Sequence, residues 1–538
     1  MASSSEHRDG KGKQRQLTAW RPLRHTLFRW LWIATFMSNI GNWMQDVGGV
    51  WLMTTMAPSP VMVALVQVAT SLPMVIFALP AGTLADVVDR RRFLLVMQSW
   101  LCITAGGFGV AVWLDIMTPW LLLSLTAVMS LGLAFNSPAR RAITAELVPR
   151  DDLSGAISLN NASVNIARAL GPALGDFLMS TAGPTILFCL NAVSFLGVIG
   201  VLYRWRRPQR QTRLPAEHFW GALQTGLRYV WHAPAMWSVM ARAGAFTFCG
   251  SALWAMLPLV VRTDLQQDAT GYGLVLGCFG LGAALSTLIL PHLRPYWPRE
   301  YLVAVATIAF AIVLALMGQL RAFGLFCFVM VIAGSAWLIL LTSFSASAQE
   351  ALPAWVRGRA LAAYILVFFG GMAGGSALWG AVADRIGIGT TLWLAAGGVL
   401  IALAATHHCP LATSSSYDTS PSRHWPMPDI DEEPAYEQGP VLVMLEYRIE
   451  PAQCEAFLHA IRQLGRIRRR DGALRWGVFG DAAETGRYIE SFIVETWEEY
   501  LRQRDRFTVA DRDIEERVFA YHQGPSSPCT THFIAERC

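Results

Sequence analysis

The sequence predicts an all-α membrane protein of about twelve spans in two six-helix bundles, followed by a small soluble α+β domain. Three observations predict it. Hydrophobic residues make up 54% of the chain and charged residues only 15%, whereas soluble domains carry about 25% charge. Apolar runs recur that reach the ~20 residues needed to cross a hydrocarbon core ~30 Å thick at ~1.5 Å per helical residue. Basic loops alternate with loops nearly free of Lys and Arg, which marks one side as cytoplasmic.

In order along the chain, residues 1–26 are polar and basic, with Arg8, Lys11, Lys13, Arg15, Arg21 and Arg24. They lack the small-residue cleavage site of a signal peptide and read as a cytoplasmic tail before an uncleaved first helix. Residues 27–203 hold the runs Leu27–Met53, Val61–Leu84, Phe93–Leu114, Pro119–Ala139, Ser158–Thr181 and Thr185–Tyr203. Residues 204–235 form a central cytoplasmic loop, in which Phe219–Trp231 has the pattern of an amphipathic surface helix. Residues 236–406 hold Met236–Val261, Tyr272–Leu293, Tyr301–Leu320, Phe323–Ser347, Ala360–Ala383 and Thr390–Thr406.

The basic loops are the tail, Arg90 to Arg92, Arg140 and Arg141 with Arg150, the central loop, Arg294 with Arg299, and Arg357 with Arg359. The alternate loops hold only Arg262, Arg321 and Arg385. An even span count keeps every basic loop, and both termini, on the cytoplasmic side of a bacterial inner membrane. Trp30, Trp32, Trp51, Trp113 and Trp120 fall near span ends, where an interfacial belt belongs. The net charge of +5 is spread over loops and implies no nucleic-acid partner. The nine cysteines are scattered without a CxxC pair and read as small packing residues.

An internal repeat supports two halves. Ala145-Glu146-Leu147-Val148-Pro149 precedes the fifth span and Gln349-Glu350-Ala351-Leu352-Pro353 the eleventh, each followed by a basic loop and a Gly-rich helix. Residues 407–440 are rich in Ser, Pro and acidic side chains and read as a linker. In residues 441–538, Val441, Val443, Leu445, Tyr447 and Ile449 alternate as on a half-buried strand. A helix over Pro451–Arg470 follows, then strands over Leu474–Phe479 and Arg487–Thr496, an interrupted helix over Glu498–Tyr521 and a last strand over Thr531–Ala535. That order is ferredoxin-like. The Arg466–Arg470 run reads as a solvated helix face, and His459, His522 and His532 form no readable nucleophile–base constellation.

The sharpest motif is Gly82-Thr83-Leu84-Ala85-Asp86-Val87-Val88-Asp89-Arg90-Arg91-Arg92, after the second span. A glycine permits close helix approach, and a carboxylate at a membrane boundary needs arginines or a helix N-terminus as partners. Through Gly82, Leu84, Asp86, Arg90 and Arg91 the chain resembles the major facilitator superfamily, with Val87 and Asp89 standing where its pattern takes Arg and Gly. The resemblance implies the major facilitator fold and a latch on the cytoplasmic side, with Arg140, Arg141, Arg357 and Arg359 as expected gate partners. The plainer reading is that Arg90 to Arg92 only set topology.

A second motif, Arg168-Ala169-Leu170-Gly171-Pro172-Ala173-Leu174-Gly175-Asp176, resembles the fifth-helix motif of facilitator exporters. Pro172 removes a backbone donor and bends the helix, and Gly171 with Gly175 forms a small-xxx-small face. Trp43-Met44-Gln45-Asp46 with Trp51-Leu52, Leu72-Pro73, and Asn165 with Arg168 are similar to the transmembrane secretion effector, or enterobactin exporter-like, branch over about Leu23 to Thr406. The C-terminal domain resembles small dimeric α+β barrels, which implies self-association or regulation.

Polar residues inside spans are costly and mark function by default. Asn39, Asn42 and Asp46 recur at i, i+3 and i+7, on one helical face. The facilitator fold lines its cavity with the first, fourth, seventh and tenth helices, so Asp46 is a candidate to carry a coupling proton or bind a cationic group; a structural polar cluster is the alternative. Arg168, in mid-span, needs a partner: Asp46, Asp176 or an anionic substrate. Arg242, nearer a span end, can snorkel to the interface. Trp254 and Trp337 either pack or stack on substrate. Asn136 and Ser137-Pro138 mark a gating bend or the end of the fourth helix.

No Walker A pattern is present, so an ion gradient, most simply of protons, is the expected driver, with neither metal nor cofactor. The reading is an alternating-access, proton-coupled exporter of a siderophore-like or drug-like small molecule. Its rival is a membrane-anchored enzyme or sensor acting through residues 441–538.

Overall fold

The computed structural model describes the chain outside residues 1–19, 58, 150–151, 206–227, 354, 412–419, 421, 423, 426–433, 436, 525–527 and 536–538. At residues 78, 79, 82, 83, 85–87, 142, 145, 154, 359 and 505 the backbone alone is described. The expected surface helix over Phe219–Trp231 lies mostly outside the described residues. The chain forms two compact units, Met1–Ala216 with Met240–Phe344 and Ile365–His408, and Glu217–Val239 with Ser345–Tyr364 and Cys409–Cys538.

Described residues of the first unit and of the loops that lead into it form α1 (Thr26–Met56), α2 (Pro60–Val87), α3 (Arg90–Trp113), α4 (Pro119–Leu147), α5 (Leu153–Ala182) and α6 (Pro184–Arg204). After the central segment come α7 (Pro234–Leu259), α8 (Ala269–Leu293), α9 (Arg299–Met317), α10 (Phe323–Glu350), α11 (Arg357–Ile386) and α12 (Ile388–Ala405). Local chemistry sets their starts. Pro60, Pro119 and Pro184 occupy first-turn positions where a missing N–H costs nothing. Asp89, Thr118 and Asp268 cap the N-termini of α3, α4 and α8 with side-chain oxygens. Gly183 and Gly387, at φ +81° and +85°, make the sharp breaks before α6 and α12. Helices are the natural solution here, because hydrocarbon offers exposed backbone groups no partner.

Ten of the described helices are long and apolar enough to cross a membrane. Their outward residues, such as Ile103, Val193, Leu288 and Ile401, are exposed and apolar, as a lipid-facing surface requires. Two long helices fall short of that standard, α1 and α5. They are the two that carry Asn39, Asn42, Gln45 and Asp46, and Asn160, Asn165, Arg168 and Asp176. Within the first half α1 packs on both α5 and α6, α2 on α4, and α3 on α6, where Phe108 stacks on Phe188 at 5.1 Å. Across the halves α5 packs on α8.

Pro138 does not end the fourth helix. The helix continues to Leu147, because a proline removes a single donor and Asn136 is held by Gln98 Nε2 at 3.0 Å. Arg140 and Arg141 therefore sit on α4 rather than in a loop. The fifth helix likewise begins at Leu153, ahead of the expected start at Ser158.

In the second unit, β1 (Val441–Arg448), β2 (Arg475–Gly480), β3 (Arg487–Val494) and β4 (Cys529–Ile534) form an antiparallel sheet of order β2-β3-β1-β4. Val443 faces Phe492 on one side and His532 on the other. Val441, Val443, Leu445 and Tyr447 point to one face, where they are buried with Phe457, Ile461 and Leu464 of α13 (Cys454–Asp471). Trp497 and Tyr500 of α14 (Trp497–Arg506) and Val518 of α15 (Val509–Phe519) complete that core. Each such fully buried side chain contributes about 2 kcal/mol of hydrophobic stabilisation. A capping box between Thr508 and Asp511 starts α15.

The arginine run on α13 is not a solvated face. Arg468 is 1% exposed and binds Glu490 Oε1 of β3 at 3.4 Å and Glu515 Oε1 of α15 at 2.9 Å. Arg470 binds Asp471 and Asp511 at 2.8 and 2.6 Å. The sequence shows the arginines together, but apart from the adjacent Asp471 the carboxylates that bind Arg468 and Arg470 come from β3 and α15.

Candidate functional site

The polar residues of α1 and α5 meet where glycines let the two backbones approach. A side chain at Gly171 would run into Trp43 of α1, and one at Gly175 into Met44. Asn39, 8% exposed, donates from Nδ2 to Ser163 Oγ of α5 at 3.2 Å. Its Oδ1 accepts from Arg140 of α4 at 3.2 Å. Asn42 and Gln45 turn instead to α6, where Asn191 Nδ2 donates to them at 3.4 and 2.6 Å. Asp46 is exposed. The face read from i, i+3 and i+7 spacing thus fans over three neighbours, leaving only its last member open.

Ser163, Gln45 and Asn191 belong to this cluster and were not among the expected site residues. The signal was present for Asn191, a polar residue in the middle of an apolar run. Arg140 was expected at the gate; in this structure it ties α4 to α1.

Arg168 places its guanidinium 5.4 Å from the centre of the Trp43 ring. Its Nε is buried and has no hydrogen-bond partner. The expected carboxylate partners are not what holds it; an aromatic face is. Asp176 is 5% exposed, lies against Gly273 of α8, and keeps Oδ1 without a partner.

Trp254 and Trp337 come together edge to face at 5.7 Å. Phe279 adds to Trp254 at 5.1 Å, and Phe246 and Phe310 to Trp337 at 5.4 and 5.7 Å. Trp254 Nε1 is buried without a partner, whereas Trp337 is packed at 5% exposure. Arg242 does not snorkel. It is 6% exposed, paired with Glu300, and donates to the Thr406 carbonyl at 3.1 Å. The adjoining space, between Phe246, Phe344 and Val399, is a cavity of about 20 Å³, far below the ~300–1,000 Å³ of sites for drug-sized ligands.

At the motif after the second helix, Arg90 binds Glu146 of α4 at 2.7 Å. Arg91 donates to the Leu202 and Tyr203 carbonyls at 2.9 and 2.6 Å, which occupies the free C-terminal carbonyls of α6. Leu84 is exposed. At Gly82, Asp86 and Arg359 the backbone alone is described; Arg141 stands exposed and Arg357 donates to the nearby Leu352 carbonyl at 3.3 Å. Glu146, the partner the sequence reading missed, is the acidic residue of the repeated Ala-Glu-Leu-Val-Pro segment.

Among the described residues, α5 packs on α8 to mid-helix, where Gly280 meets Ala169, and further contacts between the first six and last six helices lie on the side away from the basic loops. Arg262, just past α7, donates to the Thr54 carbonyl of α1, Ser59 Oγ reaches Asp384 Oδ1 at 3.2 Å, and Trp51 stacks on Tyr272 at 5.6 Å. Among the described residues, no group of three or more His, Cys, Asp and Glu is placed to hold a metal ion.

The family model described as "transmembrane secretion effector" matches residues 17–538. The chain belongs to that family. It is a major facilitator transporter, and the family gives no support to an enzyme carried on a membrane anchor. This secretion-effector family member is 21% identical over 394 residues to macrolide efflux protein A of Streptococcus pyogenes, covering 71% of this chain and 95% of that protein. It is 26% identical over 271 residues to the enterobactin exporter EntS of Shigella boydii serotype 18, covering 49% of this chain and 63% of that one. Among solved structures, an inward-facing, occupied bacterial homologue of the human lysosomal transporter Spinster aligns with a TM-score of 0.56 at 14% identity, over 72% of this chain and 98% of that one. At that identity the likeness shows the fold alone. With its apolar helices, the chain is a multi-pass bacterial membrane protein.

Proposed function

We propose that this transporter exports a siderophore-like or drug-like small molecule across the inner membrane, driven by proton entry. The observation that carries the reading is the α1–α5 seam. These are the two long helices too polar to count as spans on their own, and apart from the exposed Asp46 the site residues they carry, Asn39, Asn42, Arg168 and Asp176, are buried or half-buried. A helix that retains Asp46 or Arg168 in a membrane needs a use for it. Relatives named for efflux of macrolides and enterobactin support export and leave two substrate classes open.

In this reading α1 and α5 are spans as well, giving twelve, with the basic loops and both termini in the cytoplasm. Arg168 and Trp43 offer a cation and a ring to an anionic or aromatic substrate, with Asn39, Asn42, Trp254 and Trp337 in the same cavity. Asp46 carries the proton. Arg90, Arg91 and the segment Gly82 to Asp86 form the cytoplasmic gate with Glu146, Arg140 and Arg141. The inter-half contacts on the far side support an inward-facing state. The strand order β2-β3-β1-β4 supports a ferredoxin-like C-terminal domain. Its sheet face opposite the helices carries Leu442, Met444, Ile489 and Ile493, which supports self-association through that face.

The test is efflux from energised cells over a panel of siderophores and lipophilic drugs, with and without a protonophore. Export abolished by the protonophore and by Asp46→Asn, at unchanged membrane abundance, is the expected result. Efflux that persists in both conditions refutes proton coupling through Asp46. Failure of every compound refutes export.

A further inference from the structure

Within the second unit the C-terminal module holds two segments that are far apart in sequence. Tyr229 lies just ahead of α7 and Trp355 just ahead of α11, and their rings meet edge to face at 5.6 Å with an interplanar angle of 88°. The end of α13 and the end of α14 close over both. The Arg470 guanidinium lies 5.2 Å from the Tyr229 ring centre, and the Arg506 guanidinium 4.7 Å from that of Trp355. Arg228 donates to the Gly472 carbonyl at 3.3 Å.

These cations are held before they meet the rings. Arg470 is fixed by Asp471 and Asp511, and Arg506 by Glu499 and by the Asp471 carbonyl at 2.8 Å. A guanidinium already anchored loses little entropy on stacking, and its ring contact is stronger in a desolvated site than in water. Gly472, at φ +142°, provides the turn that aims its carbonyl at Arg228. The two segments it holds are equally well packed: Tyr229 and Val230 are 3% and 5% exposed, and Leu352 and Val356 are fully buried. A tethered passenger domain needs none of this.

We infer that the C-terminal module is a brace that clamps the starts of α7 and α11 together, so that opening and closing of that end of the carrier is coupled to the module. The inference rests on the export reading for its consequence but not for its contact. Both helices begin at basic loops. Alternating access requires those helix ends to shift, and a folded domain gripping two of them lets each shift only with the other. Any event that loosens the module then changes transport, with a coupling of the usual allosteric size.

Two measurements on the full chain in membranes test this. With Trp355→p-benzoylphenylalanine, irradiation is expected to give an intramolecular crosslink mapped to the peptides carrying Gly472 or Arg506. A crosslink elsewhere, or none, overturns the contact. The double variant Tyr229→Ala/Trp355→Ala leaves the module's own core untouched and is expected to lower transport about fivefold or more, at equal membrane abundance and unchanged hydrogen-exchange protection of β3. Trp355→Phe keeps a ring and retains transport. A double variant that transports like wild type overturns the brace. A wild-type chain that moves no compound sinks the export reading and the coupling with it, whereas the crosslink still decides the contact.

Discussion

Replacing Arg468 by leucine removes the cation from between two buried carboxylates. Glu490 is fully buried and Glu515 is 1% exposed, so neither can turn to water for a new partner. Tyr447 and Trp476 donate to Glu490, each at 2.9 Å, and His424 and Trp425 meet Glu515 at 2.6 and 2.9 Å, but these groups do not neutralise two anions. Removing one partner of a buried ion pair costs about 3–5 kcal/mol. A domain of about 100 residues has ~5–15 kcal/mol of stability in total, and each kcal/mol lowers its melting point by about 4–8 °C. Arg468→Leu therefore brings the module close to unfolding, with a fall of at least ~12 °C. Hydrogen exchange of β1 and β3 amides in the purified full chain, read against temperature, measures it. The triple variant Arg468→Met/Glu490→Gln/Glu515→Gln should recover most of the loss, because the cost lies in unpaired charge and not in lost volume. Unchanged protection in Arg468→Leu refutes the argument. So does a triple variant no better than the single one, which would place the cost in packing.

Other outcomes follow from the same geometry. Burial alone would raise the Glu515 carboxyl, but Arg468 and the bonds from His424 and Trp425 outweigh it and hold it below the ordinary range. Its share of stability is complete above that range and disappears as pH falls through the depressed value, so melting of Glu515→Gln should vary less than wild type below about pH 5, and equal slopes would contradict this. Arg90→Glu should reduce transport by weakening a half-buried pair worth ~1 kcal/mol, and Arg90→Glu/Glu146→Arg should restore part of it. No rescue in the swapped variant would show that the pair is not what positions α3 on α4. Gly171→Leu drives a side chain into Trp43 and should abolish transport while the chain still inserts; normal flux from this variant would deny the close α1–α5 seam.

Much of this was legible in the sequence, because a bilayer makes a short list of demands. Span length and apolar composition are local properties, and they marked out helices and loops without any knowledge of contacts. The polar positions on the first and fifth helices were conspicuous for the same reason: hydrocarbon punishes each one singly. Strand alternation from Val441 likewise announced a sheet with one covered face. What the sequence by itself could not supply was partnership. Nothing local to Arg140 names Asn39 as its partner; α4 has to run past Pro138 before the two meet. Arg168 reads as half of an ion pair until Trp43 takes its place. The arginine run on α13 reads as solvated until Glu490 and Glu515 close around it. Periodicity reports which face of an element is special, but the neighbour that meets that face is fixed by packing between segments well separated along the chain, and only the tertiary structure decides it.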